Sequence, residues 1–379
     1  MFTSLLQSFG LDISDLSAKL VCIKNNIRNE REISSWASCD FPQGAIVEGE
    51  IVQQEQVRSA LHEILNKVST TLTTPYVVAS LPESKTFIKV IELENEQADI
   101  ANGVENELPN HIPLPLDELI IDWQVVKEFK DHKLVLVGAV PKVIVYSYTA
   151  LFNELSLKPI AFEIEAEAIL RAITPLTRDN QLKTSNKFVQ KLFRFYRHTR
   201  ESVPATAPVP AAQLIVDLGA THTSLIMVDW NAIQFTSSVA LSGVEATQRI
   251  ADRLKLTSEE AERAKHICGL DAKKGKGVVA GVLEGMLTNC AVEIERALHF
   301  YETHFPRGNK VQKILLTGGG AKLTGAETFL GTQLSLPVAL GNPLVNINAA
   351  SKSSSFPKHE ALSYATAIGL GLRNNAEKF

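Results

Sequence analysis

FGLDISDLSAKLV, residues 9–21, starts and ends as a strand and is polar in the middle. Leu11, Ile13, Leu20 and Val21 carry the apolar pattern, while Asp12, Ser14, Asp15, Ser17 and Lys19 break it where a hairpin tip would fall. A tight tip of small residues can turn backbone N–H groups toward an anion such as phosphate, and a nearby acid can hold a hydrated metal ion. Asp and Ser are also ordinary turn formers, so the stretch taken alone is a solvent-exposed turn. What changes its weight is a second copy. AQLIVDLGATHTSLIMVD, residues 212–229, is again an apolar strand, an Asp with a small-residue tip, and a returning apolar strand. One such element in each half of the chain points to duplication. A third stretch, KILLTGGGAKLTG at 313–325, runs a buried strand into three glycines, where backbone can approach a flat ligand closely.

The 379 residues are enough for two or more domains at roughly 100–200 residues each. A net charge of −4 argues against a nucleic-acid footprint spread over the surface. Cys22, Cys39, Cys268 and Cys290 are widely spaced, without a CxxC pair, which fits neither a disulfide framework nor a zinc site. Asp12 and Asp15 interrupt the N-terminal region, so no signal peptide is read there. No apolar run is read as approaching the ~20 residues of a spanning helix. A cytoplasmic protein is expected, with any membrane link made through a partner.

Along the chain, Val57, Leu61, Ile64, Leu65 and Val68 share one helical face within 49–68. Residues 84–157 change texture: a strand over 86–93, a helix over 95–108, the proline-punctuated HIPLPLDE, strands over 120–129 and 133–140, and a helix over 143–155. That pattern predicts a compact α+β insert. A strand running into a helix follows over 159–173. KFVQKLFRFYRHTR (187–200) is basic and aromatic and reads either as a helix lying on the protein's own surface or as a membrane-surface contact. ESVPATAPVPAAQ (201–213) has linker composition. Helices are expected over 243–255, 258–267 and 278–305, the last with Val282, Met286, Cys290, Ile294, Ala297 and Tyr301 as a core stripe. The boundaries read as a first lobe at 1–83, the insert at 84–157, a return at 158–176, a linker region at 177–212 and a second lobe at 213–379.

Two such halves suit a clamp on nucleotide phosphates. Asp12 and Asp217 would then hold magnesium through water, since Mg²⁺ gives up its hydration shell reluctantly. Ser14, Asp15, Leu16 and Ser17 would line one phosphate loop, and Gly219, Ala220, Thr221, His222 and Thr223 the other. Lys19 reaches either a phosphate or a solvated edge, and His222 is either chemically active or simply exposed at a tip.

The order of these motifs resembles the actin-like ATPase superfamily over nearly the whole chain. GLDISDLSAK looks like its first phosphate motif, VDLGATHTS like the second, and LLTGGGAKLTG like the adenosine motif, which assigns Gly318, Gly319, Gly320, Ala321 and Leu323 to the nucleotide. In AERAKHICG, Glu262 and Lys265 stand where relatives contact adenosine, and FEIEAEAILRAI looks like a connecting segment whose Glu165 would position water or else be a solvated helix residue. The implied fold is α/β, an actin-like (ribonuclease H-like) duplicated two-lobed fold with an inserted α+β subdomain. HIPLPLDELIIDWQVV, VALGNPLVNI and YATAIGLGLRN are similar to stretches of the PilM family of type IV pilus assembly proteins, related to the cell-division protein FtsA. No FtsA-type membrane helix is read after GLGLRN, which favours the pilus family. The resemblance implies ATP and Mg as cofactors, slow hydrolysis at most, and a PilN-like membrane protein whose N-terminal segment docks beside the insert. The protein would sit at the inner face of the membrane through that partner, in a pilus or a related secretion platform. Alternatives are an FtsA-like scaffold that self-associates and a small-metabolite kinase. One departure stands out: Ser14 followed by Asp15 occupies ground where the family often has Gly, and a carboxylate near phosphates is repulsive unless offset.

Overall fold

The computed structural model describes residues 7–26, 30–69, 72–94, 99–112, 114–175, 211–348 and 356–376. The basic and aromatic segment 187–200 and the Pro- and Ala-rich stretch up to 210 lie outside the described residues. The chain forms two compact units, one of Met1–Pro208, Asn231–Ile233 and Asn342–Phe379, the other of Val209–Trp230 and Gln234–Gly341.

In the first unit β1 (Phe9–Ile13) turns into β2 (Ser17–Asn25) and then β3 (Arg31–Asp40). The short hairpin β4 (Ile46–Val47) and β5 (Glu50–Ile51) leads into α1 (Gln54–Lys67). Val57, Leu61 and Ile64 of α1 are fully buried, the face that the 3.6-residue spacing predicted. β6 (Tyr76–Leu81) lies parallel to β1, and β10 (Lys158–Ile164), which runs into α4 (Glu165–Ile173), lies parallel to β6. The sheet order is β10-β6-β1-β2-β3. β1 is buried along its whole length, because a strand with neighbours on both edges and helices above it has no solvent face.

Between β6 and β10 stand β7 (Phe87–Glu94), α2 (Ile100–Glu107), β8 (Leu119–Glu128), β9 (His132–Pro141) and α3 (Lys142–Glu154). β9 pairs antiparallel with both β7 and β8. Ile91, Leu93, Val104, Leu108, Leu119, Val135 and Val137 form a core of their own here, so the insert buries its own apolar face.

The second unit repeats the pairing scheme. β11 (Ala212–Leu218) is antiparallel to β12 (Thr223–Asp229), which neighbours β13 (Ala232–Val239). β14 (Val311–Thr317) lies parallel to β11, and β15 (Val338–Leu340) parallel to β14. Helices α5 (Gly243–Leu254), α6 (Ser258–Cys268), α7 (Val278–His304) and α8 (Ala326–Leu334) complete it. α7 is long and apolar enough by composition to cross a membrane, although no such run was expected from the sequence. Its Leu283, Met286, Cys290, Ile294 and Tyr301 are buried, and it packs on α5, α6 and α8, as a core helix does.

The expected second lobe, 213–379, differs at its end. From Asn342 the chain belongs to the first unit, where α9 (Ala365–Ala376) packs on α4, β1 and β2. Glycine makes this possible. A Cβ on Gly10 would lie 2.4 Å from Ala367 O, and one on Gly369 only 1.8 Å from Ala168 O. Arg171 then ties the contact with Nη1 donating to Gly369 O at 2.9 Å and to Glu163 Oε2 at 2.7 Å, and Arg373 bonds the same carboxylate. Burial alone would push the Glu163 carboxyl up, but the two guanidiniums hold it below its ordinary value.

Gly369→Ala should cost at least about 2 kcal/mol, measured by urea unfolding, because the Ala168 atoms that the new Cβ would meet are backbone. Glu167, fully buried one turn before Arg171, has its carboxyl pushed up to about 7, chiefly by burial. Its folded value lies above its unfolded one, so the neutral form favours folding and that stability is lost as pH rises from about 4.5 to about 7. Glu167→Gln should match the parent at about pH 4 and exceed it by roughly 3 kcal/mol at about pH 8.

Candidate functional site

In the second unit Asp217 is the penultimate residue of β11, opposite Ser224 on β12 and beside Thr317 on β14. The hairpin tip closes with Gly219 N donating to His222 O at 3.0 Å. The first turn of α5 grips this tip from behind: Gly243 N donates to Gly219 O at 3.1 Å and Val244 N to Ala220 O at 3.0 Å. Ser242 caps α5, with Glu245 N donating to its Oγ at 3.1 Å. Thr223 donates to Leu241 O at 2.8 Å, and Thr221 Oγ1 and His222 Nδ1 are 3.1 Å apart.

The glycine run follows β14. Gly318 has φ +82°, and a Cβ there would lie 2.4 Å from Asp217 Oδ1 and 2.6 Å from Leu218 O. Only glycine lets the Asp217 carboxylate and this turn occupy adjacent space. Gly319 opens a short 3₁₀ turn, Gly320 packs its backbone on Leu218, Ala321 is buried, and Leu323 packs against the core of α5, α6 and α7. The buried hydroxyl of Thr317 has no hydrogen-bond partner among the described residues, and its register places it next to Asp217.

Beside this edge, α5 and α6 enclose an open cavity of about 470 Å³ lined by Val244, Thr247, Gln248, Ser258, Glu259, Glu262 and Arg263. Of the residues singled out in the sequence, Glu262 faces it and Lys265 lies behind. The Lys265 ammonium donates to Gly243 O at 3.0 Å, Thr247 Oγ1 at 2.8 Å and Glu262 Oε2 at 2.7 Å, which occupies its three N–H groups. Lys265 therefore clasps α6 to the first turn of α5, the turn that grips the hairpin. Burial would raise the Glu262 carboxyl, but hydrogen bonds from Lys265 and Thr247, with the charges of Lys265 and His266, hold it below its ordinary value. Thr247, Gln248 and Arg263 were missed in the sequence. Their signal was there in the i, i+3, i+4 spacing from Val244 and from Glu259, but polar residues on a helix face ordinarily read as solvated.

In the first unit Asp12 is the penultimate residue of β1, opposite Lys19. It is almost fully buried and accepts a hydrogen bond from Ser80 Oγ at 3.0 Å. Burial raises its carboxyl, partly offset by the Lys19 charge and the Ser80 bond. Ser14 turns inward, its N and Oγ donating to Ser17 O at 2.9 and 3.0 Å, and Leu16 O accepts from Phe41 N at 2.7 Å. Asp15 reaches across to another turn. Its carboxylate accepts from Gly49 N at 2.8 Å and Glu48 N at 3.1 Å, so it holds a neighbouring turn. Glu165 is the first residue of α4, half-buried, with its carboxylate within 4.8 Å of that of Glu83, which the sequence reading passed over.

Each unit thus has a central strand antiparallel to the strand it turns into, parallel to a later one and carrying an aspartate near its end, with a glycine-rich turn and a polar cavity added in the second. This is the architecture of the actin-like ATPase fold. Three solved structures share it: a chain of a PilM-PilN type IV pilus biogenesis complex (20% identity, 98% of this chain and 99% of that one, TM-score 0.76), the ethanolamine utilization protein EutJ from Carboxydothermus hydrogenoformans (14%, 96% and 89%, 0.52) and MreB5 of Spiroplasma citri bound to ADP (12%, 89% and 92%, 0.50). The model of the type IV pilus assembly protein PilM family matches residues 10–193 and 194–375. The chain belongs to that family.

Lys265→Met should cost about 2 kcal/mol in urea unfolding, because three acceptors lose a charged donor, while Thr247→Val should cost about half as much.

Proposed function

We propose that this type IV pilus assembly protein binds ATP with its α5–α6 cavity and phosphate hairpins, and that its nucleotide state modulates binding of the cytoplasmic N-terminal segment of a PilN-like membrane protein. The observation that carries the reading is the convergence, within the second unit, of the Asp217 hairpin, the Gly318–Gly320 turn and the cavity faced by Glu262. A cavity of about 470 Å³ is within the range of small-molecule and cofactor sites. Thr247, Gln248 and Glu262 offer polar groups for a nucleoside, and Gly219 to Thr223 present backbone to phosphates.

Magnesium fits the chemistry of the donors. Asp217, with the Thr317 hydroxyl beside it, offers hard oxygen ligands, as Asp12 with Ser80 does in the first unit, and water would complete the shell. MreB5, which shares the fold, was solved bound to ADP. Partner binding is supported by the PilM-PilN complex, and association with the membrane would follow through that partner. Any hydrolysis is slow in this reading and rests on Glu165, whose carboxylate next to Glu83 would position water.

Calorimetric titration of Mg²⁺-ATP into the full chain tests the proposal. Saturable binding, weakened at least about tenfold in Asp217→Ala, is expected. No heat in the parent protein, or unchanged binding in the variant, overturns it.

A further inference from the structure

We propose that Asp15 is a positioning residue that latches the phosphate hairpin of the first unit to the base of the inserted subdomain, so that nucleotide state reaches the insert through the Glu48–Gly49 turn and Tyr148. This inference rests on the nucleotide reading above and concerns how the site is regulated.

The turn joining β4 to β5 has two backbone N–H groups and two carbonyls, and all four are used. Its N–H groups converge on the Asp15 carboxylate, at 3.1 Å from Glu48 and 2.8 Å from Gly49. A pair of successive N–H groups aimed at one point is a natural anion site, and here the anion is the chain's own side chain. Its carbonyls face the insert. Ser84 Oγ, just before β7, donates to Glu48 O at 2.9 Å, and the Tyr148 hydroxyl of α3 donates to Gly49 O at 3.1 Å. The chain enters the insert past Ser84 and leaves it through α3, so one turn holds both stems and the hairpin tip together.

The turn has little freedom to adapt. Glu48 has φ +47° and Gly49 φ +79°, and a Cβ on Gly49 would lie 2.2 Å from Pro82 Cβ. Tyr148 is fully buried, and burial together with the carboxylates of Glu165, Asp15 and Asp12 pushes its hydroxyl well above the ordinary range, so it stays a donor at any working pH. A displacement of the tip at Asp15 has to move the turn or break charge-assisted bonds. The carboxylate that looked repulsive toward phosphate is thereby given a mechanical role.

Hydrogen–deuterium exchange of the full chain, with and without Mg²⁺ and the ATP analogue AMPPNP, separates the possibilities. In the parent protein the analogue should slow exchange in residues 11–18 and also in 46–52 and 142–154. In Asp15→Asn, residues 11–18 should still respond, the response at 46–52 and 142–154 should disappear, and the Glu48 and Gly49 amides should exchange about tenfold faster without nucleotide. Tyr148→Phe cuts the link on the other side, so 46–52 should respond while 142–154 does not. An insert response that survives in both variants overturns the latch. So does loss of the 11–18 response in Asp15→Asn, which would make Asp15 a nucleotide contact. No response at 11–18 in the parent protein would instead defeat the nucleotide reading itself.

Discussion

Both units depend on one arrangement: a central strand that is antiparallel to the strand it turns into and parallel to strands that arrive later in the chain. Parallel strands end on the same edge of a sheet, and the groups just beyond their carboxyl ends collect there. In the first unit the carboxyl ends of β1, β6 and β10 bring Asp12, Ser80, Glu83 and Glu165 to one edge. In the second, β11 and β14 end at Asp217 and Thr317, next to the glycine turn. Residues far apart in the chain become neighbours because hydrogen-bonded strands lie ~4.8 Å apart.

The polar groups near these edges divide into those held by the protein and those left toward a ligand. Lys265 and Asp15 belong to the first kind. Each carries a full charge, and each has that charge met by protein groups. Charge-assisted bonds of this kind fix the geometry of the backbone they hold. The clasp at Lys265 and the turn at Asp15 hold the backbone that the two hairpins offer.

Many of the strands and helices were legible because burial imposes period. Residues 86–93 and 143–155 read nearly as they fold, and the Asp-tipped hairpins were visible because their composition repeats. Glu83 was invisible: a lone acid after a buried strand carries no signal until β6 is set between β1 and β10. The short strands β5 and β15, two and three residues long, lack enough residues to show alternation. The close crossing of α9 over β1 and α4 is written in Gly10 and Gly369, but a glycine in a sequence does not say what lies against it.

By itself the sequence determined the duplication and the two aspartate-ended hairpins, since apolar period and turn chemistry are local properties that each segment carries with it, while the class of fold followed from the resemblance of its motif order to a known superfamily. Tertiary structure alone decided that the chain from Asn342 returns to the first unit, that Lys265 and Asp15 serve the scaffold, and that Thr247, Gln248 and Arg263 share a cavity with Glu262. These depend on which backbone groups meet across long sequence separations, and a charge has no fixed partner until packing supplies one.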